Sequence, residues 1–143
     1  TGVVYNDANG KLVDEKSLPS FTGTITCYYK NGVKSCDIDI VKGYYDGNFK
    51  LYYSNGQIRE EKIYHYNNRN GAEKDYFKSG KLQCELNFEN DNEDGTFTYY
   101  YENGTIQRIE NWNSGVENGK WYYYDKNGNL TKTEVYFEQN LLN

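Results

Sequence analysis

The chain of 143 residues contains no methionine, one proline, one histidine and three cysteines. Each scarcity excludes something. A serine or cysteine nucleophile needs an imidazole beside it and a third group to orient that ring. The single histidine, His65, falls on a stretch read as a returning strand. Nothing in the sequence brings a nucleophile to it, so it reads as a half-exposed strand residue, and no catalytic residue is assigned. Cys27, Cys36 and Cys84 are too few and too scattered for a zinc site. Being odd in number, they do not make a disulfide framework. Cys27 and Cys36 flank one turn almost symmetrically and could meet across a hairpin; the commoner outcome for such a pair is two small buried thiols. There is no 18-residue apolar run to span a bilayer as a helix, no visible signal peptide and no Gly-Lys-Ser/Thr phosphate loop. The first residue is Thr1 rather than methionine, which leaves room for a removed upstream segment. The compartment therefore stays open between cytoplasm and export. Cations are short as well, 16 Lys and Arg against 21 Asp and Glu, for a net charge of −5. That balance argues against a nucleic-acid or anionic-membrane footprint.

What the chain has is aromatic residues: 17 Tyr, 6 Phe and 2 Trp. They do the burying that Leu and Val usually do, and such a composition is not that of a disordered chain. It also has a period. One glycine recurs at Gly23, Gly47, Gly71, Gly95 and Gly119, a second at Gly32, Gly56, Gly80, Gly104 and Gly128, both at a constant interval of 24. A tyrosine follows the first glycine by five places each time: Tyr28, Tyr52, Tyr76, Tyr100 and Tyr124. A fixed period of this length signals a repeat architecture. By size the whole is one domain. Residues 1–22 read as a degenerate capping unit, with a strand at Val3-Val4-Tyr5, a turn at Asn9-Gly10, a returning strand at Lys11-Leu12-Val13 and the one proline, Pro19. Residues 23–143 read as five hairpin units starting at 23, 47, 71, 95 and 119.

Each full unit has four parts. A strand of about six residues, such as Asn48 to Tyr53, leads to a tight turn of the type Ser54-Asn55-Gly56, where Asn-Gly between apolar runs is a strong hairpin signal. A returning strand follows, such as Gln57 to Tyr66. A polar link then ends in Asp46-Gly47, Asn70-Gly71, Asp94-Gly95 or Asn118-Gly119, again read as turn chemistry. Tyr, Phe, Ile, Val and Thr at the periodic positions suit a pleated surface better than a helix. The expected fold is all-β: an elongated, single-layer antiparallel meander of stacked hairpins, about ten strands in the five full units and roughly 48 Å long. Side-chain alternation sorts residues into columns. With a three-residue turn carrying a glycine bulge, the tyrosine column lies opposite Lys34, Ile58, Leu82, Ile106 and Leu130. The returning strands add Ile40, Tyr64, Phe88, Trp112 and Tyr136 to that column; a two-residue loop would slip the pairing by one. A second column holds Ile25, Phe49, Glu73, Phe97 and Trp121, and the next even position Cys27, Leu51, Asp75, Tyr99 and Tyr123. The third unit is polar in both, which interrupts that face in mid-ribbon.

The cores Gly-x-φ-x-x-Tyr-Tyr-x-x-Gly, where φ is an apolar residue, as in Gly47 to Gly56 and Gly95 to Gly104, resemble the MORN repeat in its bacterial variant form, the YwqK-like proteins. The resemblance covers residues 23–137. It implies a hairpin stack and an interaction role without an enzymatic one. Some bacterial members are described as antitoxin-like, and classical members are linked to phosphoinositide or membrane attachment. A local stretch, Trp121-Tyr122-Tyr123-Tyr124-Asp125-Lys126-Asn127-Gly128, resembles a unit of the choline- or glucan-binding cell-wall repeats.

These features lead to a binding function with no catalytic, metal or cofactor site. A one-layer ribbon cannot cover both faces, and an uncovered aromatic surface marks a partner site. Trp112, Trp121, Tyr64 and Tyr99 are the candidate anchors for a protein partner, unless they pack along the ribbon as cross-strand ladders. Tyr28, Tyr52, Tyr76, Tyr100 and Tyr124 are the expected structural spine. The alternative is a surface carbohydrate or lipid-headgroup (choline or phosphoinositide) binder, with rings stacked on sugar or choline. Unpaired edge strands would also allow self-association. The run Asn90-Asp91-Asn92-Glu93-Asp94-Gly95 has the opening spacing of a calcium loop, but its twelfth position is Tyr101 where a bidentate Glu is needed, and it reads as a solvated turn. Abundant Asn, Lys, Ile and Tyr suggest an AT-rich bacterial genome.

Overall fold

A computed structural model of the chain describes residues 2–7 and 20–137. All of its regular elements are strands. They are β1 (Gly2–Asp7), β2 (Gly23–Tyr28), β3 (Lys34–Val41), β4 (Tyr44–Tyr52), β5 (Ile58–His65), β6 (Asn68–Arg69), β7 (Gly71–Tyr76), β8 (Leu82–Glu89), β9 (Asn92–Glu93), β10 (Gly95–Tyr100), β11 (Ile106–Asn113), β12 (Val116–Glu117), β13 (Gly119–Tyr124) and β14 (Leu130–Tyr136). They form one antiparallel sheet in the order β1-β2-β3-β4-β5-β7-β8-β10-β11-β13-β14, with β6, β9 and β12 attached to β5, β8 and β11. The expected all-β hairpin meander is the observed fold.

Val3-Val4-Tyr5 is a strand, and β1 pairs directly with β2, Gly2 opposite Tyr28 and Asp7 opposite Gly23. No strand is interposed between them. The turn expected at Asn9-Gly10, the returning strand at Lys11-Leu12-Val13 and Pro19 lie outside the described residues.

The Asn-Gly turns are three-residue loops. In the second full unit Gly56 N donates to Tyr53 O and Tyr53 N to Gln57 O, at 2.9 and 2.8 Å, and Gly56 takes φ +87°. Such a loop needs its last residue in the left-handed region, which glycine enters without steric cost. The register follows: Tyr52 faces Ile58, Tyr76 faces Leu82, Tyr100 faces Ile106 and Tyr124 faces Leu130.

The polar link departs from expectation. Its turn is not at Asn70-Gly71 but earlier, at Tyr66-Asn67, and likewise at Lys42-Gly43, Asn90-Asp91 and Ser114-Gly115. Both residues of each pair have positive φ, the requirement of a two-residue hairpin loop whose twist matches the strands. The link is thus a second, short hairpin, which raises the strand count above ten. Gly71, at φ +116°, marks the irregularity where the chain rejoins the sheet.

The short hairpins stack on one another. Asn67 N donates to Tyr45 O at 2.9 Å while Tyr45 N donates to Asn67 Oδ1 at 2.7 Å. Asp91 does the same with Arg69, through Asp91 N to Arg69 O at 2.9 Å and Arg69 N to Asp91 Oδ1 at 2.7 Å. On the opposite edge of the ribbon, Tyr53 and Tyr101 hydroxyls donate to the carbonyls of Tyr76 and Tyr124 at 2.7 and 2.9 Å, and Asn55 and Asn103 amides donate to Lys78 and Lys126 at 2.9 and 2.8 Å. The second unit is therefore tied to the third at both edges, and the same tyrosine and asparagine bonds join the fourth to the fifth.

The two faces are assorted differently from the sequence reading. Tyr64, Phe88, Trp112 and Tyr136 do not share a face with the tyrosine column; they lie with Phe49, Phe97 and Trp121. The reason is a bulge. Tyr52 faces Ile58, but Leu51 faces Glu60, so Arg59 is an extra residue on the returning strand. One extra residue shifts the parity of all that follows it. Cys27 and Cys36 are also corrected: they are directly opposite, with Cα atoms 4.8 Å apart, and are joined in a disulfide. Cys84 is free and buried.

Candidate functional site

One face of the sheet carries a row of rings. Phe88 meets Phe97 at 5.3 Å between centroids, Phe97 meets Trp112 at 5.9 Å, Trp112 meets Trp121 at 5.1 Å and Trp121 meets Tyr136 at 4.6 Å. All are tilted rather than parallel, the arrangement that ring quadrupoles favour. Of the four expected anchors, Trp121 is only 7% exposed and its Nε1 donates to Asn111 O at 3.0 Å. Trp112 sits between Phe97 and Trp121, with its Nε1 donating to the buried carboxylate of Glu110 at 3.1 Å. Tyr99 is covered by the Arg108 guanidinium, 4.0 Å from its ring centre. Arg108 also pairs with Glu110 at 2.7 Å. Tyr64 belongs to a separate group at the other end, against Phe49 at 5.4 Å and Tyr45 at 5.6 Å. The structure joins the two tryptophans and leaves Tyr64 apart.

Between these groups the third full unit places charge where the second, fourth and fifth place rings. Glu73 is buried and paired with Lys62 at 3.3 Å and Arg69 at 3.5 Å. The Arg69 guanidinium lies 3.7 Å from the centre of the Phe88 ring, so a cation continues the row across the gap. Oxygens of Glu60, Glu73 and Asp75 lie within 4.8 Å of one another, close enough to hold a metal ion. Lys62 already places its ammonium there, 2.8 Å from Glu60. Burial pushes the Asp75 carboxyl above its ordinary value. Burial, reinforced by Asp75, pushes the Cys84 thiol up to about 12, and its Sγ donates to Asp75 Oδ2 at 3.4 Å. A thiol so placed is an inert packing group, not a nucleophile.

The opposite face carries the invariant tyrosines. Tyr52 and Tyr76 hydroxyls donate to Asp37 and Glu61 of the preceding repeat at 3.1 and 2.6 Å. Burial and the bond to Glu61 push Tyr76 up to about 12. His65 is exposed, with Nδ1 3.2 Å from Asp46 Oδ1 and its ring against Tyr66 at 4.6 Å. Neither neighbour is a serine or cysteine nucleophile. In the acidic run, Asp91 Oδ1 is taken by Arg69 and Asp94 Oδ1 accepts from Ser114 N at 3.3 Å. Those carboxylates serve the stacked hairpins, as a turn role requires.

Three exposed rings near the amino-terminal end of the sheet were not singled out from the sequence. Tyr44, Tyr45 and Tyr66 are 47, 41 and 58% exposed, and Tyr44 and Tyr66 touch edge-on at 5.9 Å. They stand on and beside the short hairpin tips. Tyr45 overhangs an open trough of about 500 Å³ lined by Phe21, Ile25, Ile40, Gly43, Tyr64 and Asn67. Reading Lys42-Gly43 as a two-residue turn would have placed the Tyr-Tyr pair that follows it at a hairpin tip.

A repeat model described as the MORN repeat variant matches residues 45–68, 69–90, 93–114 and 117–138, well over half of the chain. The chain belongs to the MORN repeat variant family. Each matched MORN repeat begins two residues before a periodic glycine, from Gly47 to Gly119. The unit starting at Gly23 lies outside the matched segments yet forms the same hairpin, β2 with β3. MORN repeats commonly serve as protein- or membrane-interaction modules, and the family is generally non-enzymatic. No curated protein matches the chain. No helix among the described residues is long and apolar enough to cross a membrane.

Proposed function

We propose that this protein is a non-enzymatic interaction module whose aromatic face receives a partner protein at the first two full repeats. The observation that carries the reading is a group of exposed rings at the short hairpins, Tyr44 against Tyr66, and Tyr45 on the wall of a trough that Tyr64 also lines. Tyrosine supplies large contact area with few rotatable bonds, and hot spots form where such rings meet a pocket. At the other end Trp112 and Trp121 are engaged with each other, so they contribute the rigid backing of the face. Tyr99, under Arg108, supplies a cation-and-ring edge to the same face. The net charge of −5 favours a protein over an anionic membrane as the occupant. An antitoxin-like role is one form of this reading, in which the bound protein is held inactive.

Affinity capture from extract of the source cells tests it, wild type against a Tyr44→Ala/Tyr66→Ala variant and a Tyr64→Ala variant. The expected result is one protein retained by wild type and lost from both variants, with far-ultraviolet dichroism unchanged. Equal retention by all three, or loss only in variants that unfold, refutes it.

A further inference from the structure

We infer that the cavity between the third and fourth full repeats, lined by Phe77, Gln83, Tyr99, Tyr101, Gln107 and Lys126, is a binding subsite for a neutral pyranose ring of an oligosaccharide. Its volume is about 400 Å³, within the range of small-ligand sites.

The cavity lies where the repeat-to-repeat ties fail. Tyr29, Tyr53 and Tyr101 donate their hydroxyls to the carbonyls of Tyr52, Tyr76 and Tyr124. The corresponding residue of the third unit is Phe77, which has no hydroxyl, so the Tyr100 carbonyl goes without its counterpart bond. The turn asparagines Asn31, Asn55 and Asn103 likewise bridge to the next turn, but the third unit has Ser79. Lys81 takes over part of that duty, donating to Glu102 O at 3.0 Å. The Tyr100 carbonyl is left as an acceptor beside the opening.

The bulge position supplies the donors. In the second unit it is Arg59, committed to Glu60 at 3.2 Å, and in the fifth Thr131, donating to Tyr123 O at 3.1 Å. In the third and fourth units it is Gln83 and Gln107, both exposed, and neither side-chain amide has a partner among the described residues. Two amides without partners, each able to donate and accept, thus line the same opening as Phe77 and Tyr101, with Tyr99 at its floor under the Arg108 guanidinium. Phe77 and Tyr101 offer an apolar surface for the C–H face of a sugar, and the amides and carbonyl match its hydroxyls. One lysine and one glutamate near the rim leave no net charge to select an anion or a cation. The composition selects a neutral polyhydroxylated ring over a phosphate or a quaternary amine.

Nuclear magnetic resonance titration of the whole chain tests the assignment, with cellotetraose and chitotetraose as probes and choline and inositol hexakisphosphate as charged comparisons. The expected result is movement of the Gln83 and Gln107 side-chain amide signals with at least one of the two oligosaccharides. A Gln83→Ala/Gln107→Ala variant, altered only at exposed side chains, should bind that oligosaccharide roughly tenfold more weakly or worse with an unchanged melting temperature. Phe77→Tyr should raise the melting temperature by restoring the missing tie while weakening sugar binding by filling the opening. Still amides with both oligosaccharides, binding only of a charged probe, or sugar binding indifferent to both variants would each overturn the assignment. The Tyr44→Ala/Tyr66→Ala variant keeps this cavity, so failure of the partner reading and failure of this one are read separately.

Discussion

Glu73 stands where Phe49, Phe97 and Trp121 stand in other repeats, and it is buried. A buried carboxylate is tolerable only with its partners in place, here Lys62 and Arg69. Glu73→Ala therefore takes one carboxylate from each of two cations, leaving Lys62 to Glu60 at 2.8 Å and Arg69 to Asp91 at 3.5 Å; the expected cost is about 2 kcal/mol, measured by urea unfolding. A loss under ~1 kcal/mol would mean that Glu60 and Asp91 alone satisfy those cations. Glu61 is a milder case. The Tyr76 hydroxyl bond, opposed by burial and aided by Lys50, holds its carboxyl below the ordinary 4.5. A carboxyl depressed on folding stabilises the folded chain above its unfolded pKa, and that contribution is lost as pH falls through the lower, folded value. Tyr76→Phe should cost roughly 1 kcal/mol at neutral pH, discounted for the exposure of Glu61. The gap between wild type and variant should close at pH values where Glu61 is protonated in both states. A gap that stays constant as Glu61 takes up its proton would show that the hydroxyl acts by packing and not through the carboxylate.

Among elements, two glycines of the same period behave differently. Gly104 takes φ +91° with nothing within 4 Å of an added Cβ, so Gly104→Ala suffers only from the left-handed backbone, about 1 kcal/mol. At Gly47 the φ is +118° and an added Cβ would lie 2.9 Å from Asp39 Cβ and Asp39 Oδ2, displacing a carboxylate that binds Asn48 N. Gly47→Ala should cost distinctly more; equal melting temperatures for the two variants would contradict the packing described at the rejoining point. The turn glycines were legible in the sequence because Asn-Gly and constant spacing state their geometry locally, and from them the hairpin stack and its register follow. The short hairpins were hidden, since Tyr66-Asn67 and Asn90-Asp91 enter positive φ without glycine. The faces were hidden for a related reason. A bulge residue such as Arg59 leaves no compositional mark, yet it moves Tyr64 and every later residue of the strand to the other side. Cys27 and Cys36 were placed opposite each other by symmetry about the turn, but pairing depended on the same register. The ladder option for Trp112 and Trp121 was legible; the exposed Tyr44 and Tyr66 needed the hidden turns.

For the whole molecule, a stack in which each repeat touches only its neighbours has a stability close to a sum of unit and interface contributions. Four interfaces join the five full units, and one of them, between β8 and β10, lacks both the tyrosine hydroxyl tie and the asparagine tie. Lys81 to Glu102 and the Phe88–Phe97 contact remain there. With two ties missing and one partly replaced, this interface should be weaker than its neighbours by about 1–2 kcal/mol. The disulfide binds β2 to β3 on the amino-terminal side of that fault. Beyond the fault, Asp125 turns back on its own loop, accepting from Asn127 N and Asn129 N at 2.9 Å, where Tyr29, Tyr53 and Tyr101 reach outward to the next repeat. The carboxyl-terminal pair of repeats is thus tied less strongly to the rest and has no further neighbour of its own kind to lean on among the described residues. Native-state hydrogen exchange should therefore show two blocks of protection, β2 to β8 above and β10 to β14 below, rather than a smooth decline toward the end. Phe77→Tyr with Ser79→Asn restores both ties and should merge the blocks by raising the second. A single level of protection in the wild type, or a step that survives the repair, would mean that the ring row and the strand ladder alone make the sheet one cooperative unit.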